Sequence, residues 1–305
     1  MALDPHGVSN LKLDVFSSVL ESGEIFYVNN SGVGPVGMGT AADTNLGTSP
    51  ILPLSTIAGA LDKCVADRGD KIVVMPGHSE TLTAQLDFDV AGVSIIGVGN
   101  GLLRPKLIVN GAVDMIDVSA ANMRLENFQM EITTTDAATA FVNIDAAGFH
   151  MKDIRMVPSA TSVNVVDCVV LTANADDCVI EDLLILNKVV AVVSFIHFEG
   201  ACSNVVLRNV TAFGDTTTGG IIDTAKVDYL IMENVKIATV GSTQPAASLG
   251  SNPEGMAVNC YFAGTSTTLA DNGNLGNLMR SFQVWVLEET DNSKQGARIP
   301  AVDVD

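Results

Sequence analysis

Aromatic residues are scarce in this sequence, and so are cations. Phe, Trp and Tyr make up 5% of 305 residues, with a single Trp and three Tyr, although 47% of the chain is hydrophobic. The interior must therefore be filled by Val, Ile, Leu, Met and Ala in thin layers, which suits a narrow, regular core. Sixteen Lys and Arg against 35 Asp and Glu leave a formal net charge of −19. A surface of that sign repels phosphate and anionic lipid. No basic run offsets it, the nearest approach being Arg104 and Lys106 around a proline, so neither nucleic acid nor membrane is an expected partner. No apolar run reaches the roughly 18 residues of a membrane span. The opening "MALDPHGVSNLKLDVF" lacks the basic start and apolar centre of a secretory signal.

Metal and cofactor signatures are missing too. The five cysteines (Cys64, Cys168, Cys178, Cys202, Cys260) show no CxxC and no zinc-like spacing. They read as small buried apolar residues in a reducing compartment. There is no nucleophile elbow, P-loop or dinucleotide fingerprint; "GVGNG" at 97–101 is a turn with no helix after it. No cofactor, metal or catalytic residue is assigned.

What the chain does have is a repeat. "NMRLENFQM" (122–130) has near-copies in "GFHMKDIRM" (148–156), "DCVIEDLLI" (177–185) and "NVVLRNVTA" (204–212). Its polar slot falls at Gly97, Asn127, Asp153, Asp182, Asn209 and Asn234, at separations of 30, 26, 29, 27 and 25. A period in this range signals a solenoid. Alternating pairs flank each slot, such as Met123 and Leu125 then Phe128 and Met130, and alternation at period two means strands. Further upstream lies another apolar run, "MIDV" (115–118), "FVNI" (141–144), "CVVL" (168–171), "FIHF" (195–198) or "GIID" (220–223). Each period thus holds about three short strands and no helix, which excludes ankyrin, TPR and HEAT arrays. The expected fold is all-β: a right-handed, single-stranded parallel β-helix in which like residues stack along the axis. Asn, Asp and Gly suit the slot because a sharp corner needs left-handed backbone, and stacked Asn amides can bond in a ladder.

The ends differ from the middle. Residues 51–69 predict an N-terminal capping helix, with Ser55 or Thr56 as N-cap, Ile57, Leu61, Cys64 and Val65 on one stripe and Gly69 as its stop. Residues 1–50 form a Gly/Ser/Thr/Asn-rich arm or attachment segment, 70–240 the β-helix, and 241–305, where the register fades, a C-terminal cap and oligomerisation segment. In "FQVWVLEE", Phe282, Val284 and Val286 alternate with Trp285 and Leu287, so both faces of that strand are apolar and one is expected to meet another subunit.

The stretch "GEIFYVNN…GTSPILPLSTIAGALDKCVADRGDKIVVMPGHSETL" resembles the opening of pectate-lyase-like β-helix proteins: an aromatic "YV" strand, a Gly-Thr and Pro-rich loop, a "TI..A" helix, then "GD.I.V.PG". The likeness runs through the slot repeats, over roughly residues 24–240. It implies the fold and, because many members of that group are bacteriophage virion proteins, a place among tailspikes or head-decoration proteins. Enzymatic members carry motifs that are incomplete here. Of the polygalacturonase-like NTD, DD, GHG and RIK segments, only the pair Asp176-Asp177 and Gly77-His78 match in part. Asp87 and Asp89 are two acids on a wet strand face, too few for the six to eight oxygens calcium takes. Asp153 and Asp182 fall on successive coils about 5 Å apart, the separation of a retaining glycosidase pair, yet Asp is an ordinary corner residue. His78, His150 and His197 lack a visible catalytic partner.

The reading with most support is a non-enzymatic phage virion protein: a trimeric capsid decoration (cement) protein, assembled in the host cytoplasm and docked on the major capsid protein. The alternative is a tailspike-like polysaccharide-degrading or sugar-binding β-helix, for which the aromatic platform that stacks sugars is thin.

Overall fold

A computed structural model describes residues 23–132, 138–158, 165–187, 190–240, 244–265, 273–276, 278–288 and 297–298. The protein is a parallel β-solenoid of about seven turns with almost no helix. Each turn has three legs. The first leg stacks Lys71–Val74, Ser94–Gly97 and then the openings of Arg124–Ile132, His150–Val157 and Val179–Leu186, with continuation to Met279–Phe282. The second leg stacks Ser79–Leu82 under Lys106–Val109 and ends at Trp285–Glu288. The third runs from Leu86–Phe88 through Ala138–Ile144, Val165–Leu171 and Val192–Phe198 to Gly273–Asn274.

Parallel register puts equivalent side chains over one another. One interior column reads Ile72, Ile95, Leu125, Met151, Ile180, Leu207, Met232, and another reads Phe128, Ile154, Leu183, Val210, Val235, Cys260, Val284, all at most 1% exposed. All five cysteines are free thiols, four of them buried. Burial pushes the Cys178 and Cys260 thiols up to about 11, so they behave as apolar filling.

The corner between first and second legs is left-handed at Asn127, Asp153, Asp182, Asn209, Asn234, Asn259 and Gln283, with φ between 49° and 62°. Their side chains bond from turn to turn. Asn209 Nδ2 donates to Asp182 Oδ1 (2.9 Å) and Asn234 Nδ2 to Asn209 Oδ1 (2.9 Å). The expected slot at Gly97 is different. A loop, Val98–Pro105, separates the legs there, and Asn127 Nδ2 fills the space by donating to the Gly97 and Gly99 carbonyls. Gly97 is needed for close approach instead, since a Cβ would stand 2.2 Å from the Asn127 carbonyl oxygen. A second left-handed column (Asp67, Gly92, Asn122, Gly148, Asp177, Asn204, Tyr229) precedes each first leg. From Asn122 onward its members lie five residues ahead of the first column.

On the outer surface of the first leg one register position alternates in sign from turn to turn: Glu126, Lys152, Glu181, Arg208, Glu233. Glu181 is the hub, 2.8 Å from Lys152 Nζ, 3.1 Å from His150 Nε2 and 3.5 Å from Arg208 Nη1. Lys152 and its neighbours hold the Glu181 carboxyl below its usual range.

Three expectations about the ends are corrected. The capping helix is α1, Ile57–Leu61, not a helix over 51–69. Thr56 caps it through Gly59 N–H (3.0 Å), and Ile57, Ala60 and Leu61 cover the stack, but beyond Asp62 the chain is drawn into turns. There the fully buried Asp70 carboxylate accepts the Val65 N–H (2.8 Å), and Val65 is half exposed, off the buried stripe. Residues 1–22 of the expected arm lie outside the described residues, and from Gly23 onward the segment packs on the solenoid: Ile25–Val28 pairs in parallel with Lys71–Val74. Finally, the solenoid does not stop at residue 240. Asn259 and Gln283 are further corners, and strands pair in register to Glu288, with Ala297–Arg298 antiparallel to the last one. The corner at Gln283 also breaks the alternation of "FQVWVLEE". Val284 and Val286 are buried, whereas Phe282 and Trp285 are 55% and 44% exposed; the Leu287 side chain lies outside the described residues.

Candidate functional site

The third leg carries a feature of its own among the described residues. On three consecutive turns two adjacent residues both point inward, Phe141-Val142, Cys168-Val169 and Phe195-Ile196, and on the next turn Gly220-Ile221 holds the same register, with no room for a Cβ at Gly220, where it would stand 2.3 Å from Ile237. A strand with two neighbours facing one side is bent there. The residues that flank each inward pair face out across the bend. One row is Ala140, Asp167, Ser194, Gly219, and the other is Asn143, Val170, His197, Ile222. Although they face outward, Ala140, Asp167, Ser194, Val170 and Ile222 are all at most 8% exposed. They form the floor of a longitudinal groove. Its deepest part is a cleft of about 260 Å³ lined by Asp114, Thr139, Asn143, Asp167, His197 and Glu199, among others.

Inside the cleft Asp167 joins two rungs. Its Oδ1 accepts the Ser194 hydroxyl (2.6 Å) and its Oδ2 lies 3.5 Å from His197 Nδ1. The carboxylate therefore favours a proton on Nδ1. The hydrogen bond with Asp167, helped by Glu199 and Asp223, raises the His197 pKa against the opposing effect of burial. Burial pushes the Asp114 carboxyl up, and Asp117 and Glu199 push it further. His197 Nε2 and Asp114 Oδ1 are both out of solvent with no hydrogen-bond partner. The described strands of this leg carry no lysine or arginine. The arrangement is not a nucleophilic triad, because Ser194 donates to the carboxylate and not to the imidazole.

The acids singled out from the sequence are engaged elsewhere. Arg104 grips Asp153 through both carboxylate oxygens (3.0 and 3.1 Å) and its main-chain oxygen (3.0 Å), while Asp182 accepts from Asn209. Asp176 Oδ1 accepts the Ser203 N–H and hydroxyl, and Asp177 accepts from Asn204. Asp87 and Asp89 are exposed, and among the described residues no three His, Cys, Asp or Glu side chains converge as metal ligands. His78 is fully buried: it accepts the Asn30 N–H on Nδ1 (3.2 Å) and faces Glu80 Oε2 with Nε2 (3.1 Å), so it ties the N-terminal loop to the first turn. His150 belongs to the Glu181 hub. Asp114, Asp167, Ser194 and Glu199 were not legible as a set. Their signal is the recurring polar or small residue three places before another outward one, around an apolar pair, as in Asp167-Cys-Val-Val170 and Ser194-Phe-Ile-His197.

Fold and register together define a parallel β-solenoid. No protein-family model and no curated protein sequence matches the chain. Among solved structures it is similar to a rhamnogalacturonan lyase (TM-score 0.48, 14% identity, 79% of this chain and 70% of that chain covered). It is also similar to pectate lyase Pel9A (TM-score 0.47, 8% identity, 81% and 65% covered) and to the ORF18 protein of Geobacillus virus E2 (TM-score 0.31, 10% identity, 93% and 64% covered). The chain thus spans about two thirds of the length of each. The likeness is one of fold.

Proposed function

We propose that this chain is a non-enzymatic structural protein of a phage virion, a trimeric decoration protein that docks on the major capsid protein. One observation carries the reading. Around the last described turns apolar side chains stand on the outer surface among charged ones: Ile231 stacks over Met256, Val258 over Phe282, and Tyr261 over Trp285, with Glu233, Lys236 and Arg280 in the same rows. Tyr229 stands beside them, 64% exposed, in a left-handed corner (φ 59°) whose other members are Asp, Gly or Asn. A bulky residue there costs about 1–2 kcal/mol, which an isolated subunit has no reason to sustain and a subunit contact does. The exposed aromatics are the expected centre of that contact. The test has two parts. The protein should add stoichiometrically to undecorated capsids and raise their melting temperature, and Trp285→Ala should lower the oligomer mass in light scattering. An unchanged mass for Trp285→Ala removes the patch from assembly, and failure to add to capsids removes the decoration role.

The alternative is a tailspike-like polysaccharide-degrading or sugar-binding solenoid, against which the third-leg groove counts, since no cation and no Phe, Tyr or Trp lines it. Release of reducing sugar from host capsule or lipopolysaccharide decides for it.

A further inference from the structure

Of the described histidines only His78 lies wholly out of solvent, and both of its ring nitrogens are committed. The Asn30 main-chain N–H can only donate, so Nδ1, 3.2 Å away, is an unprotonated acceptor. The ring proton is then on Nε2, which donates it to Glu80 Oε2 (3.1 Å). The folded chain thus holds a neutral imidazole in one tautomer. A second proton has only Nδ1 to occupy, and there it would meet the Asn30 N–H head on. That amide cannot swing aside alone. The Asn30 side chain clasps the Ser79 main chain at its N–H (3.0 Å) and at its carbonyl oxygen (2.8 Å), and Ser31 Oγ donates to the Pro76 carbonyl (3.1 Å). Room for the proton requires the whole clasp to lift. Glu80 remains as counter-ion to the imidazolium while still accepting the Ile57 N–H at the start of α1.

The other charged groups around the ring are engaged elsewhere. Lys106, on the next turn over Ser79, reaches Glu131 (3.3 Å), and Arg104, beside the Leu103 carbonyl that accepts the Gly77 N–H, reaches Asp153 (3.0 Å). Burial raises the Asp43 carboxyl near α1, but hydrogen bonds from Ser55 and Thr56 outweigh it and hold it below the usual aspartate range. Asp43 is therefore ionised wherever histidine titrates.

We propose that His78 is an acid-operated latch: protonation of Nδ1 releases residues 29–33 from the first turn of the solenoid, and deprotonation refastens them. The latch stands apart from any capsid role. Its sign follows from where the proton binds. Only the open form takes the proton up, so the closed form is complete above the histidine range and is lost as pH falls through it. The closed-to-open ratio drops by up to about tenfold per unit of pH.

The test is amide hydrogen exchange of the full chain, read by mass spectrometry between about pH 7.5 and about pH 5.5 and corrected for the intrinsic pH dependence of exchange. Protection of a fragment spanning residues 29–33 should fall at least about tenfold across that range, while a fragment spanning the Asn209 corner should change less than about twofold. His78→Asn sets an amide oxygen near the Nδ1 position, accepts the Asn30 N–H without titrating, and should hold protection constant. Glu80→Gln keeps an acceptor but removes the counter-ion, and should move the opening to lower pH. Should His78→Asn fail to fold, nitrogen-15 shifts of the parent imidazole replace it, and a ring that becomes charged only as the loop loses protection supports the latch. A charged ring beneath a protected loop would overturn the proposal. So would constant protection in the parent, or an equal fall in His78→Asn.

Discussion

Removing the Glu80 carboxylate tests how the N-terminal lid is fastened. A single oxygen, Oε2, receives both the Ile57 N–H (3.1 Å), which is the first amide of α1, and His78 Nε2 (3.1 Å). Ile57 and His78 are both 0% exposed, so neither donor can turn to water. Glu80→Ala orphans both, at about 1–3 kcal/mol each. Relief of the buried carboxylate's own desolvation offsets part of this, and a net loss of roughly 2–4 kcal/mol is expected. Glu80→Gln can place its amide oxygen where Oε2 sits and keep both bonds, and should cost no more than about 1 kcal/mol, the scale of a lost charge at a helix start. Urea unfolding followed by far-UV circular dichroism measures the cost. Because solenoid stability is set turn by turn, Trp285, the only tryptophan and seated on the last turn, should report a later transition than circular dichroism in Glu80→Ala. If Gln destabilises as much as Ala, the charge and not the paired hydrogen bonds fastens the lid, and the reasoning fails.

Asn209→Ala should lose about 1–2 kcal/mol in the same assay, from its two ladder bonds and the left-handed backbone, while Asn209→Gly should retain part of that. Burial raises the Asp70 carboxyl, but hydrogen bonds from Arg68, Val65 and Glu24 outweigh it and hold the folded pKa below the usual aspartate range. Its stabilisation is therefore complete above that range and lost as pH falls through the folded pKa. Melting temperatures between about pH 5 and 2 should drop less steeply in Asp70→Asn than in the parent. Gly255→Ala should fail to fold or aggregate on expression, since its Cβ would lie 1.9 Å from the Leu230 carbonyl oxygen at a φ of 152°. Gly250→Ala, with nothing within 4 Å, should melt with the parent.

The solenoid was readable because its physics repeats. Asn127, Asp153, Asp182, Asn209 and Asn234 declare a corner by residue type, and the apolar residues around them declare strands by alternation. The same rule fits Val258-Asn259-Cys260 and Phe282-Gln283-Val284. Those corners were obscured because Gln is a poor marker of left-handed backbone and the intervening loops dilute the pattern. Gly97 misled for the opposite reason: glycine serves close approach as readily as it serves a corner. The helix over-reached because Cys64 and Val65 continue its stripe, whereas Asp70, distant in any helical register, captures the Val65 amide. The groove was hidden because its members are drawn from successive turns. His197, Asp167 and Asp114 meet only after the register is known, and a bend with two inward neighbours looks in sequence like an ordinary apolar run.

The alternating row Glu126, Lys152, Glu181, Arg208, Glu233 places a parity condition on length. Excising the turn that carries Lys152 would seat Glu126 directly against Glu181, like against like, whereas excising that turn together with the next would return Glu126 to an arginine neighbour. Along this stretch the molecule tolerates being shortened or extended by turns taken in twos, and a single turn inserted between two members of the row meets a like charge on one side whichever sign it carries.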